Sequence, residues 1–194
     1  MLLLLDNRDS FTYNVAAAFA KLGHPPRLVD REAMSVDELL ALSPDYVVVG
    51  PGPGGPADVL SSGELLWRAA RSSIPALGIC LGHQSLALFG GGQVGRAPYP
   101  CHGKCSALLH DGQGLFSSLP QGVEVARYHS LAVQEDSLPK ELICSARTTD
   151  GVVMALRHGT LPLSGVQFHP ESVATGVAGL IMLQNWLSTG SSPS

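Results

Sequence analysis

The most reactive side chain type in this sequence stands between two glycines. Cys80 lies in the stretch Gly78-Ile79-Cys80-Leu81-Gly82, directly after a short apolar run and directly before a segment of helical character. This spacing is typical of a nucleophile elbow, a tight strand-to-helix turn that lifts the reactive atom above the edge of a sheet. Neighbouring elements come so close at such a turn that glycine is needed on both sides. The pattern predicts a cysteine nucleophile, and the alternative is a small core residue at a strand end.

A helix that begins at Leu81 would act on this sulfur in two ways. Its positive end favours the thiolate form of Cys80. Its free N–H groups, especially that of Leu81, can donate hydrogen bonds to the oxyanion that forms when a carbonyl group is attacked. The chemistry indicated is therefore nucleophilic acyl transfer.

A thiol nucleophile needs a base, and the base needs a group that orients it. The candidates are His169 and Glu171 in the stretch VQFHPES, where Pro170 separates them and keeps the segment extended. Residues i and i+2 of an extended segment point to the same side, so Glu171 can accept a hydrogen bond from one ring nitrogen while the other faces the sulfur. A surface pair at a strand end is the alternative. The position after an apolar strand favours function, because α/β sheets gather their sites there.

Other histidines and cysteines fit a chemical role less well. His83, three residues after Cys80, is the rival base, but it should project from the side of the same short helix, and we expect a packing or hydrogen-bonding role. Cys101, His102 and Cys105 have no second ligand pair at zinc spacing, so no metal site is predicted. The histidines that lack a paired carboxylate are expected to be structural or solvated: His24, His102, His110, His129 and His158.

The stretch GPGPGGP contains a second glycine pattern. Gly50, Gly52 and Gly55 satisfy G-x-G-x-x-G directly after an apolar run, as in a dinucleotide site. Pro51 and Pro53, however, lack the N–H groups that would bind a pyrophosphate, and the next strand ends at a cysteine instead of an acidic residue. A rigid wall facing a substrate, with Gly52 as a second oxyanion donor, is one interpretation, and a plain proline-stiffened turn is the other.

Alternating strands and helices in the first 90 residues are expected to position these groups. Short apolar runs predict buried strands, and the segments between them have helical periodicity. Asp9 or Ser10 is the predicted N-cap of the first helix, and Gly23 ends it. The alternation indicates right-handed crossovers and a parallel sheet. The predicted strands are 2–5, 45–50 and 74–79, and the predicted helices are 11–22, 63–72 and 81–89.

The second half has shorter apolar segments set off by turn residues, which predict strands that extend the sheet or form a second, antiparallel one. These segments are 104–110, 123–129, 142–148 and 151–158, followed by a strand at 163–168 and a helix at 179–187. The polar stretch 188–194 is predicted to be a flexible tail, which leaves 1–187 as a single domain. The fold class expected is α/β, with a mostly parallel central sheet flanked by helices and additional antiparallel strands in the second half.

Composition limits the classes of function. Hydrophobic residues make up 45% of the 194 residues and charged residues 14%, which suits a compact α/β protein and argues against disorder. A formal net charge of −4 gives no reason to expect nucleic acid or an anionic membrane as a partner. The four leucines near the start are too few for a signal peptide or a membrane span, so we expect a cytoplasmic protein with reduced cysteines.

Taken together, six stretches resemble the class I (triad) glutamine amidotransferases. More narrowly, they are similar to the glutaminase subunits of anthranilate synthase and aminodeoxychorismate synthase. They occur in the family's order and cover almost the whole chain. Gly50 stands where relatives usually have serine, which is expected to loosen the loop without changing the chemistry. The stretches are LLLDNRDSFTYN (3–14), VVVGPGPGGP (47–56), GICLGHQSLALFGGGQV (78–94), HGK (102–104), RYHSL (127–131) and GVQFHPESVAT (165–175).

The resemblance implies a substrate that the spacing of residues does not reveal. Cys80 would attack the side-chain amide of L-glutamine, His169 would transfer the proton, Glu171 would hold His169, and no cofactor would be needed. It also implies a flavodoxin-like fold. The oxyanion donors would be Gly52 and Leu81, and the glutamine pocket would be lined by Gly52, Pro53, Gly54, Gln84, Ser130 and Leu131.

The resemblance also implies a protein partner. The chain contains no synthase or ATP-binding domain, so it is expected to deliver ammonia through an enclosed path to a chorismate-using synthase subunit. The product would be anthranilate, on the route to tryptophan, or 4-amino-4-deoxychorismate, on the route to folate. Two alternatives stay open: a stand-alone cysteine hydrolase of γ-glutamyl amides, and a non-catalytic regulatory subunit of the same fold.

Overall fold

The computed structural model of the protein describes residues 1–189. Strands and helices alternate in the first half, as predicted. The elements are β1 (Leu2–Asp6), α1 (Thr12–Lys21), β2 (Pro26–Asp30), α2 (Val36–Ala41), β3 (Tyr46–Val49), α3 (Leu60–Arg71), β4 (Ala76–Ile79) and α4 (Leu81–Phe89), with a short 3-10 helix at Pro56–Val59.

Strands predominate in the second half, which ends in a helix. The elements are β5 (Gln93–His110), β6 (Glu124–Gln134), β7 (Leu142–Thr148), β8 (Val153–His158), β9 (Leu163–Val166) and α5 (Val177–Thr189), with 3-10 helices at Gly114–Phe116 and Glu135–Ser137. The last helix therefore includes Ser188 and Thr189, the first two residues of the predicted tail. Residues 190–194, the rest of that tail, lie outside the described residues.

All of the described strands form one mixed sheet, in the order β2-β1-β3-β4-β9-β8-β7-β5-β6. Strands β2, β1, β3, β4 and β9 pair in parallel, and the pairs from β9 to β6 are antiparallel. This arrangement confirms the predicted α/β class with added antiparallel strands. The carboxyl ends of β4 and β9 are neighbours, since Ile79 is opposite Val166. The residues after these two strands therefore meet at one edge of the sheet.

Side chains along the central strands point alternately to the two faces of the sheet, which divides the core into two layers. In β1, Leu2 and Leu4 pack on one face of the sheet with α1 and α5, while Leu3 and Leu5 pack on the other face with α3 and α4. Such strands, buried on both faces, produce the continuous apolar runs that the sequence shows. None of the helices in residues 1–189 has the length and apolar character that crossing a bilayer requires.

The start of α1 differs from the prediction. Phe11 occupies the N-cap position and has no side-chain cap, so neither Asp9 nor Ser10 is the N-cap. Asp9 instead accepts a hydrogen bond from the N–H of Phe11 at 2.8 Å, which stabilises the turn before the helix. At the other end, Gly23 has a φ of +84°, the left-handed conformation expected where a helix ends at glycine.

Candidate active site

Cys80 occupies a strained turn between β4 and α4. Its φ is +55° and its ψ is −102°, an unusual backbone conformation for a non-glycine residue. Hydrogen bonds hold the turn: the N–H of Cys80 donates to the carbonyl of Val166 at 2.8 Å, and the N–H of Gln84 donates to the carbonyl of Cys80 at 3.1 Å. The predicted strand-to-helix elbow is therefore present.

The two glycines beside Cys80 are there because the backbone leaves no room for a side chain. A Cβ atom on Gly78 would lie 2.4 Å from the carbonyl carbon of Gly82. A Cβ atom on Gly82 would lie 2.3 Å from the carbonyl oxygen of Val49, at the end of β3. Both distances are far below van der Waals contact, so the first turn of α4 can approach the sheet this closely only with glycine.

His169 and Glu171 lie beyond the end of β9 and form a buried pair. Nδ1 of His169 lies 2.6 Å from Oε1 of Glu171, and the two side chains are 2% and 0% exposed. The backbone of His169 is fixed as well, because its N–H donates to the carbonyl of Ala126 and its carbonyl accepts from the hydroxyl of Thr175. The base candidate is thus held by side chain and backbone together.

The second ring nitrogen of His169 is available for chemistry at Cys80. Nε2 bonds to no nitrogen or oxygen of residues 1–189, and the thiol of Cys80 interacts with the ring although the pair does not meet strict hydrogen-bond geometry. Burial alone would lower the pKa of His169, but the interactions with Cys80 and Glu171 outweigh it and raise this pKa to about 10. The arrangement therefore favours a protonated imidazole beside the sulfur.

Aromatic rings surround the imidazole of His169. The ring of Phe11 lies 4.9 Å from it and the ring of Tyr128 lies 5.2 Å from it, edge to face. The Phe11 and Tyr128 rings also contact each other at 5.0 Å. These contacts restrict the ring's rotation and keep water away from it.

A small cavity of about 180 Å³ opens beside the sulfur. The predicted pocket residues Gly52, Gly54, Gln84, Ser130 and Leu131 all lie in its wall, whereas Pro53 is exposed and lies outside it. Two wall residues, Tyr128 and His129, were not predicted. The complete wall consists of Gly52, Gly54, Cys80, Leu81, Gln84, Tyr128, His129, Ser130 and Leu131.

The loop that contains Gly52 is fixed against the elbow. Asn7, which is fully buried, donates through Nδ2 to the carbonyl of Gly50 at 3.0 Å and accepts from the hydroxyl of Ser62 at 3.1 Å. A Cβ atom on Gly52 would lie 2.6 Å from both Asn7 Cβ and Leu81 Cδ2. The backbone of this loop therefore comes as close to the side chain of Leu81 as glycine allows.

His83 packs in the core. It is fully buried, lies against Gly165 of β9, and burial lowers its pKa to about 3. His129 is 6% exposed and donates through Nδ1 to the carbonyl of Leu131, and its pKa is lowered to about 4 chiefly by burial. Both rings are therefore neutral at pH 7. No group of three or more potential metal ligands occurs within the described part of the chain.

Gln167 is the residue near the sulfur that the sequence analysis missed. Its side-chain nitrogen lies 3.7 Å from Sγ of Cys80, and the side chain is fully buried. The extended segment predicted around Pro170 is wrong, because residues 167–168 bend and residues 170–171 form a turn in which the N–H of Ser172 donates to the carbonyl of His169 at 3.2 Å. Glu171 reaches His169 through this turn, so strand alternation could not have identified Gln167.

Comparisons with known proteins cover nearly the whole chain. The family model described as glutamine amidotransferase class-I matches residues 3–188. Aminodeoxychorismate/anthranilate synthase component 2 of Bacillus subtilis is 42% identical over 97% of this chain and 96% of its own length. Aminodeoxychorismate synthase of Streptomyces griseus is 51% identical over 89% of this chain, which spans only 24% of that protein. The crystal structure of a Thermoplasma acidophilum protein described as a putative GMP synthase subunit superposes with a TM-score of 0.86 at 25% identity, covering 98% of this chain and 93% of the other.

Proposed function

Since this chain belongs to the class I glutamine amidotransferase family, we propose that it hydrolyses L-glutamine at Cys80 and passes the ammonia to a synthase partner. The observation that supports this most strongly is the meeting of Cys80, the His169–Glu171 pair and a small polar cavity at one edge of the sheet. In this proposal, residues 1–187 act as a single glutamine amidotransferase domain, with Cys80, His169 and Glu171 as the catalytic triad.

The reaction follows from the positions of these groups. The sulfur of Cys80 attacks the side-chain carbonyl carbon of glutamine, and the N–H groups of Gly52 and Leu81 stabilise the oxyanion. His169 gives its proton to the leaving nitrogen, so that ammonia departs and a glutamyl thioester remains. His169 then takes a proton from water, which attacks the thioester and releases glutamate and the free thiol. Glu171 keeps the imidazole oriented and stabilises its charged form throughout.

Gln84 has a defined role in substrate binding. Its Nε2 donates to the carbonyl of Leu131 at 3.3 Å and to Oε1 of Gln167 at 3.0 Å. Both hydrogens of this amide are therefore engaged, and the group that Gln84 offers to a ligand is its acceptor, Oε1. Glutamine brings two kinds of donor, its amide and its ammonium group. The backbone of Gly54, Ser130 and Leu131 completes the pocket.

The partner we propose is a chorismate-using synthase subunit. Free ammonia is mostly protonated in bulk water and is then no nucleophile, so an enclosed transfer to a bound acceptor is needed. The relatives named after anthranilate and aminodeoxychorismate synthesis make chorismate chemistry the best supported use of the ammonia. The four cysteines are free, as is usual in a reducing compartment, so we propose the cytoplasm as the place of the reaction.

A first experiment tests glutamine hydrolysis and its nucleophile. The full chain is incubated with glutamine, and glutamate release is measured beside a Cys80→Ser variant. 6-Diazo-5-oxo-L-norleucine, a glutamine-like electrophile, should label Cys80, and glutamine should protect it. Failure of Cys80 to react with this reagent would favour a non-catalytic docking module.

A second experiment tests the partner. The chain is mixed with an anthranilate synthase component I or an aminodeoxychorismate synthase component I, together with chorismate and glutamine, and the product is identified. We expect the partner to raise glutamine hydrolysis and to yield an aminated chorismate product. Equal turnover with and without either synthase would indicate a stand-alone hydrolase of γ-glutamyl amides.

A further inference from the structure

The buried amide of Gln167 connects the sulfur of Cys80 with the wall of the cavity. Its Nε2 lies 3.7 Å from Cys80 Sγ, and its Oε1 accepts a hydrogen bond from Gln84 Nε2 at 3.0 Å. The same Gln84 nitrogen donates to the carbonyl of Leu131 at 3.3 Å. A continuous chain of hydrogen bonds thus runs from a pocket carbonyl through two amides to the sulfur.

The partners of these two amides determine which way each one points. Gln84 Nε2 has two hydrogens and faces two acceptors, Leu131 O and Gln167 Oε1. Turning the Gln167 amide over would bring two NH₂ groups into contact and leave a carbonyl oxygen against the sulfur. Full burial of Gln167 offers no water to relieve that contact. The hydrogen-bond network therefore directs the N–H of Gln167 at the sulfur of Cys80.

A donor in this place distinguishes between the two states of the sulfur. A neutral thiol is a weak acceptor, whereas a thiolate accepts a charge-assisted hydrogen bond that is roughly twice as strong as a neutral one. Two other polar groups face the thiol: the carbonyl of Tyr128 at 4.0 Å, which suits the protonated form, and the imidazole of His169, held by Glu171, whose charge suits the thiolate. The N–H of Gln167 favours the thiolate, and its hydrogen bond also restricts the position of the sulfur.

We propose that Gln167 is a positioning residue that holds the sulfur of Cys80 in line with the cavity and favours its thiolate form. This role rests on the proposed function of Cys80 as the nucleophile, and it adds a fourth side chain to that chemistry. The neighbouring strands explain its position. Residue 167 follows β9 as residue 80 follows β4, so the pairing of Ile79 with Val166 brings the two side by side.

The test is the pH dependence of alkylation at Cys80 in the absence of glutamine. Iodoacetamide is used as the probe, and peptide mass spectrometry follows Cys80 separately from Cys101, Cys105 and Cys144. Gln167→Met keeps the length of the side chain but has no N–H. In this variant, the inflection in the pH profile of Cys80 alkylation should move up by about one pH unit. Alkylation of Cys80 near neutral pH should slow by roughly 10-fold. An unchanged inflection in folded Gln167→Met would overturn the proposal.

Two further variants keep the result decisive. Gln167→Leu also removes the donor without placing a charge in this fully buried position, so the inflection of its alkylation profile should move in the same direction by a similar amount. It also serves if Gln167→Met does not fold. Thr148→Val is the matched control, because Thr148 is equally buried but lies on β7, two strands away from β9. An equal shift in this control would assign the effect to a loosened core and overturn the role of Gln167.

Alkylation does not depend on the substrate, so this test and that of the proposed function fail separately. Loss of the Gln167 effect with normal glutamine hydrolysis by the unaltered chain would remove only the positioning role. A normal Gln167 effect without any glutamine hydrolysis would leave a tuned thiol and remove the proposed substrate.

Discussion

Replacing Gly82 by alanine tests whether the closeness of α4 and the sheet sets the site. The new Cβ would lie 2.3 Å from the carbonyl oxygen of Val49, whereas ordinary contact begins at 3.4 Å, so the helix and strand must separate by about 1 Å. Overpacking of this kind costs about 1–3 kcal/mol. Alanine returns up to about 1 kcal/mol as the better helix former. Subtracting about 1 kcal/mol leaves a net loss of about 0–2 kcal/mol, which lowers the melting temperature by up to about 8 °C in a chain of this length.

The effect on activity should exceed the effect on stability. Cys80 and Leu81 belong to the same turn as Gly82, so a displacement of the turn moves the sulfur together with the N–H of Leu81, the proposed oxyanion donor. A misplacement of about 1 Å in a catalytic group reduces turnover by roughly 10²-fold. Glutamine hydrolysis should therefore fall by that factor at a temperature where the variant is fully folded.

Circular dichroism melting and glutamate release measure the two effects side by side. Gly159→Ala is the matched control, because a Cβ there would meet only ordinary contacts at 3.8 and 3.9 Å, and both properties should stay near those of the unaltered chain. Wild-type melting and wild-type hydrolysis in Gly82→Ala would refute the reasoning, since the observed 2.3 Å approach would then have no consequence.

Three further outcomes are expected. In Glu171→Gln, the pKa of His169 should fall from about 10 toward the ordinary 6.5, and the pH profile of glutamine hydrolysis should show a loss of roughly 10²–10⁴-fold at neutral pH. Acidification below pH 6.5 should destabilise the fold, as urea titrations would show. His83 and His129 have folded pKa values of about 3 and 4, so the unfolded chain binds more protons there, and each costs up to about 1.4 kcal/mol per pH unit down to its folded value. Asn7→Ala should lower the free energy of unfolding by about 1–3 kcal/mol, because its loss leaves the carbonyl of Gly50 without its donor.

The central strands and the elbow were predictable because their signals are local. Residues buried on both faces of a sheet give unbroken apolar runs, as in β1 and β3. The elbow glycines follow from backbone geometry alone. These features needed no knowledge of which strands are neighbours.

Elements with weaker burial could not be found in the same way. Strand β2 lies at the edge of the sheet and has one buried residue, Val29, so it shows no apolar run. Helix α2 has only six residues. The place of Tyr128 and His129 in the cavity wall depends on how β6 is positioned across the sheet, which no local pattern encodes.

The place of β9 in the sheet has a consequence for the life of the newly made chain. Among the described strands this one comes last in the sequence, yet it lies between β4 and β8 in the middle of the sheet. Joining residues so distant in sequence is slow, because a long loop must close first. A ribosome-bound precursor that ends before β9 has the cysteine but neither its imidazole nor its carboxylate. The thiol of Cys80 and the His169–Glu171 pair can therefore meet only after the chain has been translated beyond β9.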